Sequence, residues 1–190
     1  MIRLIGISGA LRRASFNTAL LNAAVELAPA GCELQAASIR GIPLYDGDVE
    51  AGEGIPPAVA ELKDRIAAAD GLVLFTPEYN NGIPGVFKNA IDWLSRPASD
   101  IPRVFAGKPV ALCGASPGAF GTLLSQNTWL PVLRTLQADA WAGARLMVPR
   151  ANTLMNEEGR LADEATRARL AKFIADFAAY VQARRGTLQS

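Results

Sequence analysis

Gly71-Leu72-Val73-Leu74-Phe75, followed at once by Thr76-Pro77-Glu78-Tyr79-Asn80-Asn81-Gly82-Ile83-Pro84-Gly85, is the stretch whose pattern settles the architecture. An unbroken apolar run without alternation reads as a strand covered on both faces, as in a parallel sheet. Pro and Gly then punctuate a loop of polar and aromatic groups, and a helix is predicted from about Pro84 to Leu94. In an open α/β sheet, ligands bind at loops leaving the carboxyl ends of strands. This loop therefore carries more functional information than any core segment.

Working outward, strand and helix signals alternate along the chain. Arg3 to Ser8 reads as the first strand, and Ser15 as the cap of a helix with Phe16, Leu20, Ala23, Ala24 and Leu27 at helical spacing. Pro29 and Gly31 end that helix. Cys32 to Ile39 is a weaker, alternating strand nearer a sheet edge, and Gly41 to Gly54 reads as a loop. Pro56-Pro57 opens a helix with Val59, Leu62, Ile66 and Ala69 on one face, and Ser95 to Gly107 reads as a polar connection. Lys108 to Gly114 predicts a fourth strand, Ser116 to Gly121 a turn, and Thr122 to Gln137 a helix kinked by Pro131. A fifth strand is expected over Trp141 to Val148. The last helix shows the clearest stripe, through Leu170, Phe173, Ile174, Phe177, Ala178 and Val181. Five strands alternating with helices predict a doubly wound, three-layer α/β sandwich filling one domain, residues 1–190.

Composition narrows the function classes. Of the 190 residues, 50% are hydrophobic and 19% charged, and the net charge of +1 gives no electrostatic reason for nucleic-acid or membrane binding. No run approaches the ~18 apolar residues of a membrane span. The first residues enter a strand directly, which argues against a secretory leader. Cys32 and Cys113 form no CxxC pair and read as buried, inert thiols, which suits a reducing, cytoplasmic setting. The chain has no histidine, which removes the usual general base and the commonest metal ligand, so no metal site is expected.

Two turns carry the chemistry. After the first strand, Gly9-Ala10-Leu11-Arg12-Arg13-Ala14-Ser15-Phe16-Asn17 would point backbone N–H groups and a helix mouth at the strand ends, a phosphate-binding arrangement. Arg12 adds a fork of charged donors, and Ser15 and Asn17 add short neutral ones. On residue types alone, a plain helix cap at Ser15 with solvated arginines is as good a reading. Neither GxGxxG nor a P-loop is present. The Thr76 to Gly85 loop offers amides, the Tyr79 ring and the Asn80 and Asn81 side chains, suited to a flat heteroaromatic ring. Glu78 reads equally well as a partner of a neighbouring N–H or lysine, and Asn89, Asp92 and Trp93 as packing and capping residues. Ser116-Pro117-Gly118 is a third turn, where Gly118 would admit close backbone approach. With sheet order 2-1-3-4-5, the crevice opens between strands one and three. A phosphate grip beside a planar platform describes a mononucleotide site, and FMN fits it.

At these residues the sequence resembles the NAD(P)H-dependent FMN reductase family, flavodoxin-like proteins that include quinone, chromate and azo reductases. The resemblance rests on Gly9 to Asn17, Pro77-Glu78-Tyr79-Asn80 and Lys88-Asn89-Ala90-Ile91-Asp92-Trp93-Leu94-Ser95-Arg96-Pro97. Ile42-Pro43-Leu44-Tyr45-Asp46 and Ala115-Ser116-Pro117-Gly118 add to it. It implies a flavodoxin-like fold, with Arg12, Ser15 and Asn17 on the FMN phosphate, Pro77 to Asn80 along the isoalloxazine ring, and Ser116 to Gly118 on its pyrimidine side. It also implies a homodimer or homotetramer with the flavin near a subunit interface. Two departures stand out. Ala10 occupies a position where the family usually has Ser, removing a hydroxyl worth on the order of 1 kcal/mol from the cradle. Thr122 stands where a second glycine is common.

The function this implies is an NAD(P)H-dependent oxidoreductase that uses FMN to pass hydride to a quinone-like, flavin or other small acceptor. The chemistry would belong to the cofactor, so no catalytic side chain is required. The rival readings are a flavodoxin-type electron carrier, which the near-neutral charge disfavours, and a flavin-poor binding or regulatory module, suggested by Ala10.

Overall fold

The central strand of the protein is the run with which the sequence reading began. A computed structural model describes residues 1–189, with side chains through residue 186. It places β3 (Gly71–Phe75), buried at every position, between β1 (Ile2–Ser8) and β4 (Pro109–Ala115). β2 (Cys32–Ser38) flanks β1, giving the parallel order β2-β1-β3-β4-β5. The expected doubly wound α/β topology is therefore present.

Alternation along β3 shows why it is apolar throughout. Val73 and Phe75 face one core, packed with Leu20 and Leu21 of α1 (Phe16–Glu26) and Leu170, Phe173 and Phe177 of α7 (Glu164–Gln189). Leu72 and Leu74 face the other. There they meet Val59, Leu62 and Ile66 of α3 (Pro57–Ala68), Phe87 and Trp93 of α4 (Gly85–Leu94), and Trp129 of α6 (Leu123–Thr135). Each strand face is thus covered by a helical layer. Phe87 and Trp129 meet edge to face at 5.0 Å, tying α4 to α6, a geometry worth about 1 kcal/mol beyond burial.

Three segments differ from the sequence expectation. The fifth strand is not continuous over Trp141 to Val148. β5 (Asp139–Ala140) and β6 (Leu146–Val148) both pair with β4, and the chain leaves the sheet between them. At the start of the break the Trp141 ring packs onto Phe173 and Phe177 of α7 at 5.4 and 5.3 Å. The Trp141 backbone still donates its N–H to the Val110 carbonyl of β4 at 2.8 Å, so the chain leaves the ladder only beyond it. Within the expected loop after β2, α2 (Gly47–Glu53) forms because Asp46 caps it, its carboxylate accepting the Asp48 N–H at 2.9 Å. Glu50 then pins α2 to the end of α4, bonding Arg96 at 2.8 Å and the Tyr45 hydroxyl at 2.9 Å. In the connection after α4, a 3-10 turn at Ala98–Asp100 leads into α5 (Ile101–Val104). There the Asp100 carboxylate pairs with buried Lys63 of α3.

Candidate functional site

The carboxyl ends of β1, β3 and β4 release three loops that meet at one crevice. It is lined by Ala10, Arg12, Ser15, Phe16 and Asn17 from the first loop, Pro77, Glu78 and Tyr79 from the second, and Ala115, Ser116 and Pro117 from the third. The half-open space between these walls is about 70 Å³, well below the ~300–1,000 Å³ of pockets that swallow a drug-sized ligand. A head group fits inside, so any larger planar ring must lie along the open lip.

The first loop builds the enclosed end. Ser15 is the N-cap of α1, and its hydroxyl oxygen accepts the Thr18 N–H at 3.2 Å, leaving the hydroxyl proton available to donate. Phe16 and Asn17, the next two residues, have no carbonyl one turn back for their N–H groups. These free donors, with the positive end of the helix dipole, favour an anion. Arg12 lies 4.8 Å over the Phe16 ring, so a cation–π contact holds its guanidinium at the same mouth. Gly9 is required for this approach, since a Cβ there would overlap the Phe87 ring. The loop is also steadied by Arg40, past the end of β2, whose guanidinium donates to the Leu11 carbonyl.

Asn17 plays a part that its residue type did not disclose. Its side chain is buried, accepting the Ala115 N–H and donating to the Ala115 carbonyl, both at 2.9 Å. The amide thus closes the end of β4 and joins the first loop to the third. Its backbone N–H is what it offers the crevice.

The second loop forms the open lip. Tyr79 and Gly82 exchange backbone bonds at 3.2 and 3.1 Å around Asn80 and Asn81, whose φ angles are +50° and +63°. That is a two-residue hairpin turn needing left-handed backbone at both central positions, which asparagine tolerates. Tyr79 is exposed and presents its ring at the lip, while Asn80 occupies the turn tip outside the lining. Thr76 anchors the loop from below: its buried hydroxyl bonds Ser125 at 2.8 Å, accepts the Trp129 indole N–H at 2.9 Å and donates to the Pro77 carbonyl. Glu78 reaches sideways, one carboxylate oxygen accepting the N–H groups of Leu124 and Ser125 at 2.8 and 2.9 Å.

The third loop is closed upon itself. Ser116 donates its hydroxyl to the Gly121 carbonyl at 2.6 Å, and Gly118, also outside the lining, is fixed through its carbonyl by the Arg150 N–H at 3.1 Å. Phe120 projects from its tip, 77% exposed. Thr122, in place of the expected glycine, is accommodated because its hydroxyl accepts the Gln126 amide at 3.0 Å and faces Gly114, which has no Cβ. A wider groove, along another face of α1, is lined mostly by small and polar residues with several arginines and glutamates, and it lacks an aromatic platform.

Comparison with known proteins identifies the family. The profile of the NADPH-dependent FMN reductase family matches residues 2–153. The chain belongs to that family. It is 44% identical over 166 residues to an NAD(P)H-dependent FMN reductase of Pseudomonas aeruginosa, covering 87% of this chain and 88% of that one. It is 36% identical over 184 residues to a 2-hydroxy-1,4-benzoquinone reductase of a Burkholderia species, covering 97% and 98% of the two chains. Among solved structures it superposes on FerB, a flavoenzyme NAD(P)H:(acceptor) oxidoreductase of Paracoccus denitrificans, with a TM-score of 0.84 and 31% identity over 96% of this chain and 98% of FerB.

Proposed function

We propose that the protein is an NAD(P)H-dependent flavin oxidoreductase that carries FMN in this crevice and delivers reducing equivalents to a quinone-like, flavin or other small acceptor. The observation that carries the reading is the meeting of three loops at one crevice with a cationic, amide-lined inner end and an aromatic lip. Those features fit FMN, because a small enclosed anion pocket opening onto a flat ledge matches a phosphate tail followed by a planar ring. When bound, FMN supplies two-electron redox chemistry, so no catalytic side chain is assigned.

The protein's own work is to bind, orient and keep the site open on one side. Arg12, the Ser15 hydroxyl and the N–H groups of Phe16 and Asn17 hold the phosphate. Pro77, Tyr79 and the amides of their loop wall the ring, with Ser116 and Pro117 opposite. Asn80 and Gly118 contribute through the shape of their turns. Each turnover removes two electrons and one proton from NAD(P)H as hydride, and a quinone acceptor reaches hydroquinone with one further proton from solvent. The half-exposed Tyr79 leaves room at the lip for nicotinamide and acceptor in succession.

The test is anaerobic mixing of the FMN-loaded protein with NADPH and, separately, NADH. The visible flavin band should bleach within turnover time, and oxidation by a benzoquinone should restore it. No bleaching with either nucleotide refutes the assignment, and a long-lived one-electron state would favour a carrier. The same reading makes the protein a homodimer or homotetramer in the cytoplasm, and the free thiols of Cys32 and Cys113 support the reducing compartment. Light scattering on the eluting species separates monomer, dimer and tetramer.

A further inference from the structure

α6 begins without a cap of its own. Its N-cap residue, Thr122, makes no side-chain bond to the first-turn amides, because its hydroxyl is engaged by Gln126. The first turn would therefore leave its donors unmatched. Glu78, forty-odd residues earlier and on a different loop, supplies the missing acceptor: one carboxylate oxygen takes the N–H groups of both Leu124 and Ser125. A negative charge at a helix N-terminus is also favoured by the dipole.

The consequence lies in what this bond connects. Glu78 sits between Pro77 and Tyr79, the lip of the crevice, and α6 starts directly after the turn that forms the opposite wall. Thr76 adds a second bond from the same loop to Ser125. Both walls are thereby fixed to one helix end. We infer that Glu78 is a positioning residue, which sets the spacing of the two ring-flanking loops by capping α6 from another loop rather than by touching the flavin through its carboxylate. This inference rests on the flavin reading above.

It predicts a separable pattern in Glu78→Ala and Glu78→Gln. In both variants without flavin, the amides of Leu124 and Ser125 should exchange with deuterium faster than in the wild type, more so in Glu78→Ala, which has no acceptor. The Kd should rise about tenfold in Glu78→Ala for FMN and for riboflavin alike, because the phosphate grip is untouched. Fine structure in the visible flavin band should also fade. Glu78→Gln keeps a carbonyl acceptor and should recover most of the affinity, and it serves as the folded variant if Glu78→Ala does not fold.

Faster exchange with unchanged flavin affinity would overturn the inference, since the cap would then be purely structural. A rise in Kd for FMN and none for riboflavin would also overturn it, by placing the carboxylate at the phosphate. Unchanged exchange would remove the cap itself. If the wild type binds neither flavin while the exchange pattern holds, the flavin reading has failed and the inference falls with it, a result distinct from the others.

Discussion

Replacing Asn17 with alanine isolates the bond that holds the first loop to the third. Its amide makes two buried bonds at 2.9 Å, one to each backbone polar group of Ala115, which is 2% exposed. Each neutral bond contributes about 1 kcal/mol net, and each buried group left unmatched costs roughly 1–3 kcal/mol. Alanine also gains a few tenths of a kcal/mol of helix propensity at this position, on the order of 0.5 at most. The adjoining crevice admits water to the orphaned groups, which brings the expected loss to about 2–4 kcal/mol. For a chain of this size, that corresponds to a fall in thermal midpoint of about 4–16 °C. The assay is thermal and urea unfolding of the flavin-free protein, with an unchanged urea m-value marking a true stability effect. Asn17→Asp should fall between the two, keeping the acceptor for the Ala115 N–H but setting a carboxylate against its carbonyl. A flavin-free midpoint within about 1 °C of wild type, together with a large loss of FMN affinity, would refute the reasoning, because Asn17 would then be a phosphate ligand and not a clamp.

Other perturbations test the remaining parts of the site. Arg12→Gln removes a charged donor from an exposed position, so FMN affinity should drop about tenfold, equivalent to about 1.4 kcal/mol. Riboflavin affinity should be unchanged, and equal loss for both flavins would place Arg12 elsewhere. Gly114→Ala should unfold the protein or depress its yield severely, since the new Cβ would overlap the Thr76 carbonyl and the Thr122 hydroxyl. A soluble variant with a wild-type midpoint would contradict the packing described. Acid should destabilise the fold through Glu50, whose carboxyl is held below its usual range chiefly by the bond from Arg96, and Asp100, held down chiefly by the bond from Lys63. A depressed folded-state value means the stability is present at neutral pH. It is lost as pH falls from the ordinary values, about 4.3 for Glu50 and about 3.9 for Asp100, through the lower folded-state ones. Urea midpoints measured from neutrality into that range should decline there, and Asp100→Asn should flatten the decline. A constant midpoint throughout would show these pairs to be uncoupled from folding.

How far the sequence discloses this molecule depends on whether one face or many determine an element. β3 was legible to the residue because burial on both faces leaves no polar position. α7 was legible because it lays a helical stripe on the sheet, and α4 because Pro84 and Gly85 mark its start. The fifth lane was misjudged at its middle, where the chain leaves β4 just after Trp141, whose ring packs on α7, against the strand propensity of these residues. α2 was hidden by its glycines, although Asp46 followed by acidic Asp48 and Glu50 is a helix-start signal. Arg40 gave no signal at all, since its guanidinium bonds a carbonyl twenty-nine residues away. The three loops could be nominated from their positions after strands. Which of their side chains face the crevice and which tie loop to loop could not, because that depends on partners distant in the chain, as with Asn17 and Ala115 or Glu78 and α6.

That division has a physical basis. On the flavin reading, the inner end of the crevice would hold an anion largely with backbone N–H groups, which every residue carries. Its side chains are then free to hold the loops in place, and the buried ones are used that way: Asn17 on Ala115, Thr76 on Ser125 and Trp129, Ser116 on Gly121. A site built mainly from backbone depends on loop position more than on any one contact, so a lost clamp disturbs every amide of its loop at once. The missing hydroxyl at Ala10 subtracts a single neutral donor of about 1 kcal/mol. The Asn17 clamp, worth at least twice that by the same scale, should therefore matter more to flavin retention than Ala10 does.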